Sequence, residues 1–348
     1  MIKKNDKRTW QDTSKVLELI KHAGKNIAII THVNPDGDAI GSSLGLKKVF
    51  HNMGHSCSVI SPNTFPDFLK WMPGSNTILI YNEEPEKAAH IIKHSDIIIS
   101  VDFNTLKRVE QFRDAVERSL AYKLLIDHHP DPDLFSDCSI SDTSLSSTAE
   151  IIYQFIASSG LKKFMDTDVA ICLFTGIITD TGCFSYNSSE RNTYDVVAEL
   201  LDYNINKDKI YYLLYDNFSC NRMRLLGYSL NEKMEIIPEC RTALIWLTRE
   251  ELQRYHYQIG DSEGFVNYPL SIEGIRFSAF FIEREDHIKI SFRSKGNFAV
   301  NRFAEKYFNG GGHMNASGAE SYDTMDKTLR HFREMLFLNK DSLVDYEI

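Results

Sequence analysis

The chain has 348 residues, enough for two domains of ordinary size, and its 43% hydrophobic content is that of a globular protein. Its formal charge of −9, from 39 Lys and Arg against 48 Asp and Glu, argues against a general binder of duplex or long RNA, whose non-specific affinity comes from basic side chains on phosphates. No apolar run has the length a bilayer requires and residues 1–6 lack an apolar signal core, so a cytoplasmic protein with no membrane association is expected, and six cysteines without a CxxC pair read as isolated thiols rather than a disulfide frame.

Residues 15–185 alternate apolar, strand-like runs with helical stretches, the pattern of an α/β domain with a mainly parallel sheet and helices on both faces. The run at 27–30 is apolar and largely β-branched, and the turn Asn34-Pro35-Asp36-Gly37 stops it. His32, Asp36 and Asp38 therefore place one imidazole and two carboxylates at a strand's C-terminal end, the edge where ligands bind in open α/β sheets. Residues 39–50 suit a helix packed on the sheet. Its N-terminal amides are expected to point at the site, which favours phosphate. Gly41 and Gly45, on one face of it, are expected to allow close approach to a strand or a ligand.

Three further apolar runs end in the same way. Residues 96–101 lead into Asp102, residues 123–126 into Asp127-His128-His129, and the more helical 169–179 into Asp180. One carboxylate at a strand end commonly only caps a helix or satisfies a turn. Several of them, one accompanied by a tandem His pair, call for another explanation. His32, Asp36, Asp38, Asp102, His128 and Asp180 supply two imidazoles and four carboxylates, more than one ion needs when water and substrate must also coordinate, so two divalent ions are implied. A mixed N/O set without thiolate suits Mn²⁺ or a similar ion better than a structural Zn²⁺. A pair of such ions clamps the attacking and leaving oxygens of a phosphoryl transfer. Asp131, Asp133 and Asp137 read as solvated loop charges, because their spacing lacks the glycine and terminal Glu of a calcium loop.

Residues 190–231 look helical and are expected to connect this domain to a smaller mixed α+β lobe. Strands are expected there at 235–237, 242–246, 276–283 and 287–293, and helices at 300–307 and 325–337. Arg293 falls on the face of its strand opposite Ile288, Ile290 and Phe292, where a guanidinium could grip a phosphate with two donors or simply face solvent. The run Gly310-Gly311-Gly312 has no side chains to pack and is entropically costly, so it reads as a place of close ligand approach, with a flexible hairpin tip as the plain alternative. The adjoining His313, Asn315 and Ser317 supply donors and favour the ligand reading.

The order His-x-Asn-Pro-Asp-Gly-Asp-Ala, Val-Asp, Asp-His-His, Asp-Thr-Gly resembles the DHH phosphoesterase superfamily. Phe292-Arg293-Ser294 followed by Asn309-Gly310-Gly311-Gly312-His313-Met314-Asn315-Ala316-Ser317-Gly318 resembles the DHH-associated substrate-binding domain. Both in one chain resemble the bifunctional nanoRNase/pAp-phosphatases, over residues 15–340. The resemblance implies a catalytic domain at 15–189, a helical connector at 190–231 and a substrate-binding domain at 232–340. It implies that His32, Asp36, Asp102 and Asp180 hold one ion and Asp38, Asp102 and His128 the other, with Asp102 bridging. Asp127 would orient a His, and His129 would donate to the scissile phosphate or protonate the leaving oxygen. Arg293, Gly311, Gly312, His313 and Asn315 would hold the nucleotide, although many relatives carry a fourth glycine where this chain has Asn309.

The expected activity is that of a Mn²⁺-dependent phosphodiesterase and exoribonuclease hydrolysing short oligoribonucleotides to mononucleotides, and acting on pAp or pApA. A homodimer is compatible with the resemblance. The alternatives are a linear or cyclic dinucleotide phosphodiesterase and, outside the enzymes, a non-catalytic nucleotide-binding sensor. A manganese pyrophosphatase fits less well, because the glycine loop suggests room for a nucleoside.

Overall fold

The computed structural model describes residues 8–344, which divide into two compact units at Asn217/Phe218. In the first unit the elements run β1 (Arg8–Trp10), α1 (Ser14–Ile20), β2 (Asn26–Ile30), α2 (Gly37–Asn52), β3 (Ser56–Ser61), β4 (Leu79–Ile80), α3 (Pro85–His94), β5 (Ile97–Val101), α4 (Arg113–Arg118), β6 (Tyr122–Asp127), β7 (Cys138–Asp142), α5 (Thr148–Ser158), α6 (Thr167–Asp180), α7 (Arg191–Leu201) and α8 (Lys207–Tyr215). The strands form one sheet in the order β1-β7-β6-β5-β2-β3-β4. All neighbours pair in parallel except β1, which closes the β7 edge antiparallel.

Period-two alternation splits the apolar side chains between two cores. Ile27, Ile29, Ile97 and Ile99 pack on one face, with α2, α5 and α6. Ala28, Ile30 and Ile98 pack on the other, with Ala88 and Ile92 of α3 and Val116 of α4. All five residues of β5 are buried, as expected of a central parallel strand with helices on both faces. From β2 the chain winds outward to β3 and β4, then returns to the other side of β2 as β5, β6 and β7. The order thus reverses between β2 and β5, the switch point at whose C-terminal ends open α/β sheets form their ligand crevice.

Gly41 and Gly45 have a different partner from the one the sequence suggested. A Cβ at Gly41 would lie 2.4 Å from the Cys172 carbonyl oxygen and 2.9 Å from the Gly176 nitrogen, and one at Gly45 would lie 2.9 Å from Leu173 Cδ2. These atoms belong to α6, so the glycines let two helices cross backbone against backbone, and the expected approach to a strand or ligand is corrected to helix pairing. The spacing that pairs helices in membranes works equally well inside this core, because it depends on side-chain size alone.

The second unit contains α9 (Cys220–Asn231), β8 (Met234–Ile237), β9 (Thr242–Leu247), α10 (Arg249–Arg254), β10 (Phe277–Glu283), β11 (Ile288–Ser294), α11 (Val300–Tyr307), β12 (Gly311–His313), β13 (Ala316–Ser321), α12 (Met325–Leu338) and α13 (Lys340–Val344). Its sheet has the order β12-β13-β11-β10-β9-β8, with β9 and β10 parallel and the other pairs antiparallel. Phe277, Phe281 and Phe292 pack on Phe303 of α11 and Phe332 of α12. Phe280 and Ile282 pack on the opposite face, with Leu225 and Leu226 of α9. Within residues 190–231, α7 and α8 lie in the first unit and α9 in the second.

Candidate active site

The loops leaving β2, β5 and β6 and the C-terminal end of α6 bring six candidate ligands into the first unit's crevice. His32, Asp38, Asp102 and His128 are between 1% and 4% exposed, so these charges and imidazoles are withdrawn from water and need partners. Asp102 stands at the centre. Its Oδ2 is 3.5 Å from His32 Nε2 and its Oδ1 is 3.6 Å from His128 Nε2. It adopts φ of 65°, a left-handed conformation that Asp tolerates better than most residues.

These residues fit divalent cations. His32 Nδ1 lies 2.8 Å from the Val33 carbonyl oxygen, which fixes the proton on that nitrogen and leaves a lone pair on Nε2. Nε2 is buried and makes no hydrogen bond among the described residues. Atoms bound to one ion at about 2.1 Å sit roughly 3.0–3.5 Å apart, close to the spacing on either side of Asp102. His32, Asp36 and Asp102 form one cluster of ligand atoms, and Asp38, Asp102 and His128 form another. Asp180 Oδ2 lies 3.5 Å from His128 Nε2. That contact brings Asp180 to the side of the second cluster.

The electrostatics point the same way. Burial, and next the Asp102 carboxylate, push Asp38 up to about 8. Burial, Asp36 and Asp127 push Asp102 well above the usual carboxylate range. Asp36 is pushed up by burial, but His32, the Ala39 amide and Arg108 outweigh that and hold it below its ordinary value. Burial, and next Arg108, lower His32 to about 4, so its imidazole is neutral and able to ligate at neutral pH. Carboxylates held this close call for cationic neutralisation.

The N-terminal amides of α2 do not serve the site as expected. Asp36 is the helix cap, and its Oδ1 accepts from Asp38 N at 3.0 Å and Ala39 N at 3.1 Å. The helix that does present amides to the site is α5. Thr148 N donates to Asp38 Oδ2 at 2.7 Å and Ala149 N to Asp38 Oδ1 at 2.9 Å, while Thr148 Oγ1 donates to Asp102 Oδ1 at 2.9 Å. Ser42 Oγ also donates to Asp38 Oδ1, at 3.1 Å. Ser147 caps α5 by accepting from Glu150 N, and the buried Glu150 carboxylate takes hydrogen bonds from Ser146, Asn192 and Thr193. Sequence reasoning passed over this turn, although Ser147 three residues before Glu150 is a helix-start signal.

Asp127 Oδ1 lies 2.7 Å from His129 Nδ1, so the oriented imidazole is His129 rather than the ligand His128. His129 Nε2 in turn accepts from Arg108 Nη1 at 3.1 Å. Burial, and then Arg108, His128 and His32, hold His129 well below 6.5. The neutral ring has one N–H, which Asp127 takes, so in this arrangement His129 offers none to a phosphate. Arg108 was not identified from the sequence, where nothing in its neighbourhood marks it.

In the second unit Arg293 lies on the face of β11 opposite Ile288, Ile290 and Phe292, and its Nη1 donates to the Phe292 carbonyl at 2.9 Å. The glycine run enters the edge hairpin of β12 and β13, with Gly311 opposite Gly318 and His313 opposite Ala316. A Cβ at Gly310 would meet Gly318 O at 2.2 Å, and one at Gly312 would meet Ala316 O at 2.7 Å. The hairpin itself therefore requires those two glycines. Only Gly311 has open space above it, with nothing within 4 Å. Asn309 has φ of 50°, a left-handed conformation that asparagine accommodates better than most residues. Asn315 Nδ2 donates to Ser294 Oγ at 2.9 Å and to the Gly296 carbonyl at 2.8 Å, tying the hairpin to the end of β11.

The model of the DHH family, N-terminal domain, matches residues 26–177, and that of the DHHA1 domain matches residues 253–337. The chain is similar to the bifunctional oligoribonuclease and PAP phosphatase NrnA of Bacillus subtilis, 30% identical over 308 residues covering 87% of this chain and 92% of that protein. The protein of the same name from Thermus thermophilus is 29% identical over 316 residues, 90% of this chain and 89% of its own. Among solved structures, an exopolyphosphatase-related protein from Bacteroides fragilis is 45% identical, with a TM-score of 0.90 over 94% of this chain and 96% of that one. RecJ from Thermus thermophilus in complex with Mn²⁺ shares the fold at 12% identity, with a TM-score of 0.56 over 96% of this chain and 55% of its own.

Proposed function

The chain belongs to the DHH family, and on that premise we propose a two-metal-ion phosphoesterase that hydrolyses short oligoribonucleotides to mononucleotides and removes phosphate from pAp. The observation that carries the reading is the position of Asp102, with one carboxylate oxygen toward His32 Nε2 at 3.5 Å and the other toward His128 Nε2 at 3.6 Å. In this proposal His32, Asp36 and Asp102 hold one ion, and Asp38, Asp102, His128 and Asp180 the other, with Mn²⁺ the best match to the donor set. When bound, the ions supply positive charge to the phosphate oxygens and lower the pKa of the water that attacks.

The chain's own residues do the rest. Thr148, Ala149 and Ser42 hold Asp38 and Asp102 in place, which conserves ligand geometry through turnover. The Asp127–His129 pair presents Nε2 to Arg108. Arg293, Gly311, Gly312, His313 and Asn315 are proposed to bind the nucleotide. Of these, Gly311 allows the closest backbone approach, and Asn315 acts by pinning the hairpin.

Activity profiling tests this reading. Chelated protein, with and without added Mn²⁺, is offered 5′-labelled RNA of two to ten nucleotides, pAp and cyclic di-adenylate. Mn²⁺-dependent release of mononucleotides from the shortest RNAs, together with phosphate from pAp, is the expected result. Turnover of cyclic di-adenylate alone would favour the dinucleotide phosphodiesterase alternative, and no turnover of any substrate would favour a sensor.

A further inference from the structure

Arg108 follows β5 and is anchored to the turn that carries the first ligands, its carbonyl oxygen accepting from Val33 N at 2.8 Å. Its side chain is half-buried and lies near enough to the ligand cluster to act on His32, Asp36 and Asp102. A guanidinium among carboxylates ordinarily forms an ion pair with one of them. Among the described residues Arg108 forms none, and its one side-chain hydrogen bond is to His129 Nε2 at 3.1 Å. A guanidinium has five N–H donors in a planar fork matched to carboxylate and phosphate. Four remain after the bond to His129.

We propose that Arg108 is the phosphate clamp of this site, donating to the non-bridging oxygens of the substrate phosphate while His129 positions it. The alternative use of Arg108, as a structural counter-charge, would pair it with a carboxylate, and no such pair is made among the described residues. His129 suits the positioning task because its single N–H is taken by the buried Asp127 at 2.7 Å, which leaves Nε2 as a fixed acceptor. One guanidinium N–H is thereby held, and four N–H donors remain for a phosphate. The ligand class is a phosphomonoester or phosphodiester anion. The proposal deepens the function given above and rests on it for the identity of the substrate, but phosphate capture is testable without turnover.

The probe is AMP, titrated into Mn²⁺-loaded protein by calorimetry, with metal content measured by elemental analysis. Arg108→Ala is expected to weaken AMP binding by about 10²-fold, the scale of losing one preorganised oxyanion donor, with metal content unchanged. Arg108→Lys should recover only part of the loss, because an ammonium lacks the fork. Added guanidinium chloride should restore binding to Arg108→Ala and not to the wild type, an effect that a merely structural role would not produce. Wild-type AMP affinity in Arg108→Ala would overturn the proposal. So would metal loss in Arg108→Ala and Arg108→Lys alike, which would make Arg108 a support for the ligand loops, and so would failure of the wild type to bind AMP. If AMP binding depends on Arg108 but neither RNA nor pAp is hydrolysed, the function proposed above fails while the clamp stands.

Discussion

Replacing Gly176 by alanine presses on the ligand cluster from behind. Gly176 lies in α6, where that helix crosses α2 and meets the first turn of α5. A methyl group there would stand 2.6 Å from Ala149 Cβ and 2.8 Å from Asp38 Oδ1. Non-bonded heavy atoms settle at about 3.5–4.0 Å, so either α6 backs away by roughly 1 Å or Asp38 swings. Helix propensity favours alanine over glycine by about 1 kcal/mol, whereas overpacking costs about 1–3 kcal/mol, leaving a net loss of about 0–2 kcal/mol. The larger effect falls on Asp38, whose oxygens are held by Thr148 N, Ala149 N and Ser42 Oγ. Disturbing the groups that orient a ligand lowers metal affinity by about 10–100-fold. Calorimetric titration of Mn²⁺ into chelated protein reads that loss, and melting in the presence of chelator reads the packing term separately. Gly227 in α9 is the control, since an added Cβ there meets nothing within 4 Å, and Gly227→Ala is expected to stabilise by about 0.4–1 kcal/mol. Wild-type Mn²⁺ affinity and wild-type melting in Gly176→Ala would refute the reasoning.

Asp102→Ala removes the carboxylate common to both clusters, so it should abolish turnover and lower metal content at both sites; near-native activity with Mn²⁺ supplied would disprove the bridge. The pH dependence of the metal-free protein follows from Asp38, raised to about 8, and from Asp102, which burial and its neighbouring carboxylates also raise well above the usual carboxylate range. A carboxyl whose folded pKa exceeds its unfolded value near 4 stabilises fully below that value and ceases to do so as pH rises through the folded pKa. Chelated protein should therefore melt at a lower temperature at pH 9 than at pH 6, and Mn²⁺ affinity should rise over the same interval because binding displaces protons. A flat melting profile, with no proton release measured across buffers of different ionisation enthalpy, would contradict this. Arg293→Ala or His313→Ala should raise KM for a dinucleotide strongly while sparing bis-p-nitrophenyl phosphate, and equal losses on both substrates in folded protein would remove the proposed nucleotide-binding role.

The sequence by itself determined what depends on neighbours along the chain. Near-continuous apolar runs at 27–30 and 97–101 mark buried strands, whose period-two geometry sorts their side chains between two cores, and the ligands just beyond them are then delivered to one sheet edge. The Phe292-Arg293 and glycine-His segments likewise marked the second unit. Tertiary structure decided whatever joins residues far apart in sequence. Thr148 supports Asp38 across 110 positions and Asp102 across 46, and no local spacing encodes either pairing. Asp180 reaches the His128 side because α6 crosses α2 at Gly41 and Gly176, a contact set by helix packing rather than by the Asp-Thr-Gly motif. The cap formed by Asp36 took the α2 amides that a sequence reading offers to phosphate. Arg108 is an ordinary basic residue in the sequence, and only its meeting with His129, 21 positions later, places its charge beside the ligands. Side-chain type and spacing thus name the chemistry available at the sheet edge. Which group faces which partner is settled by packing, because burying a polar or charged atom without its partner costs more than any local preference supplies.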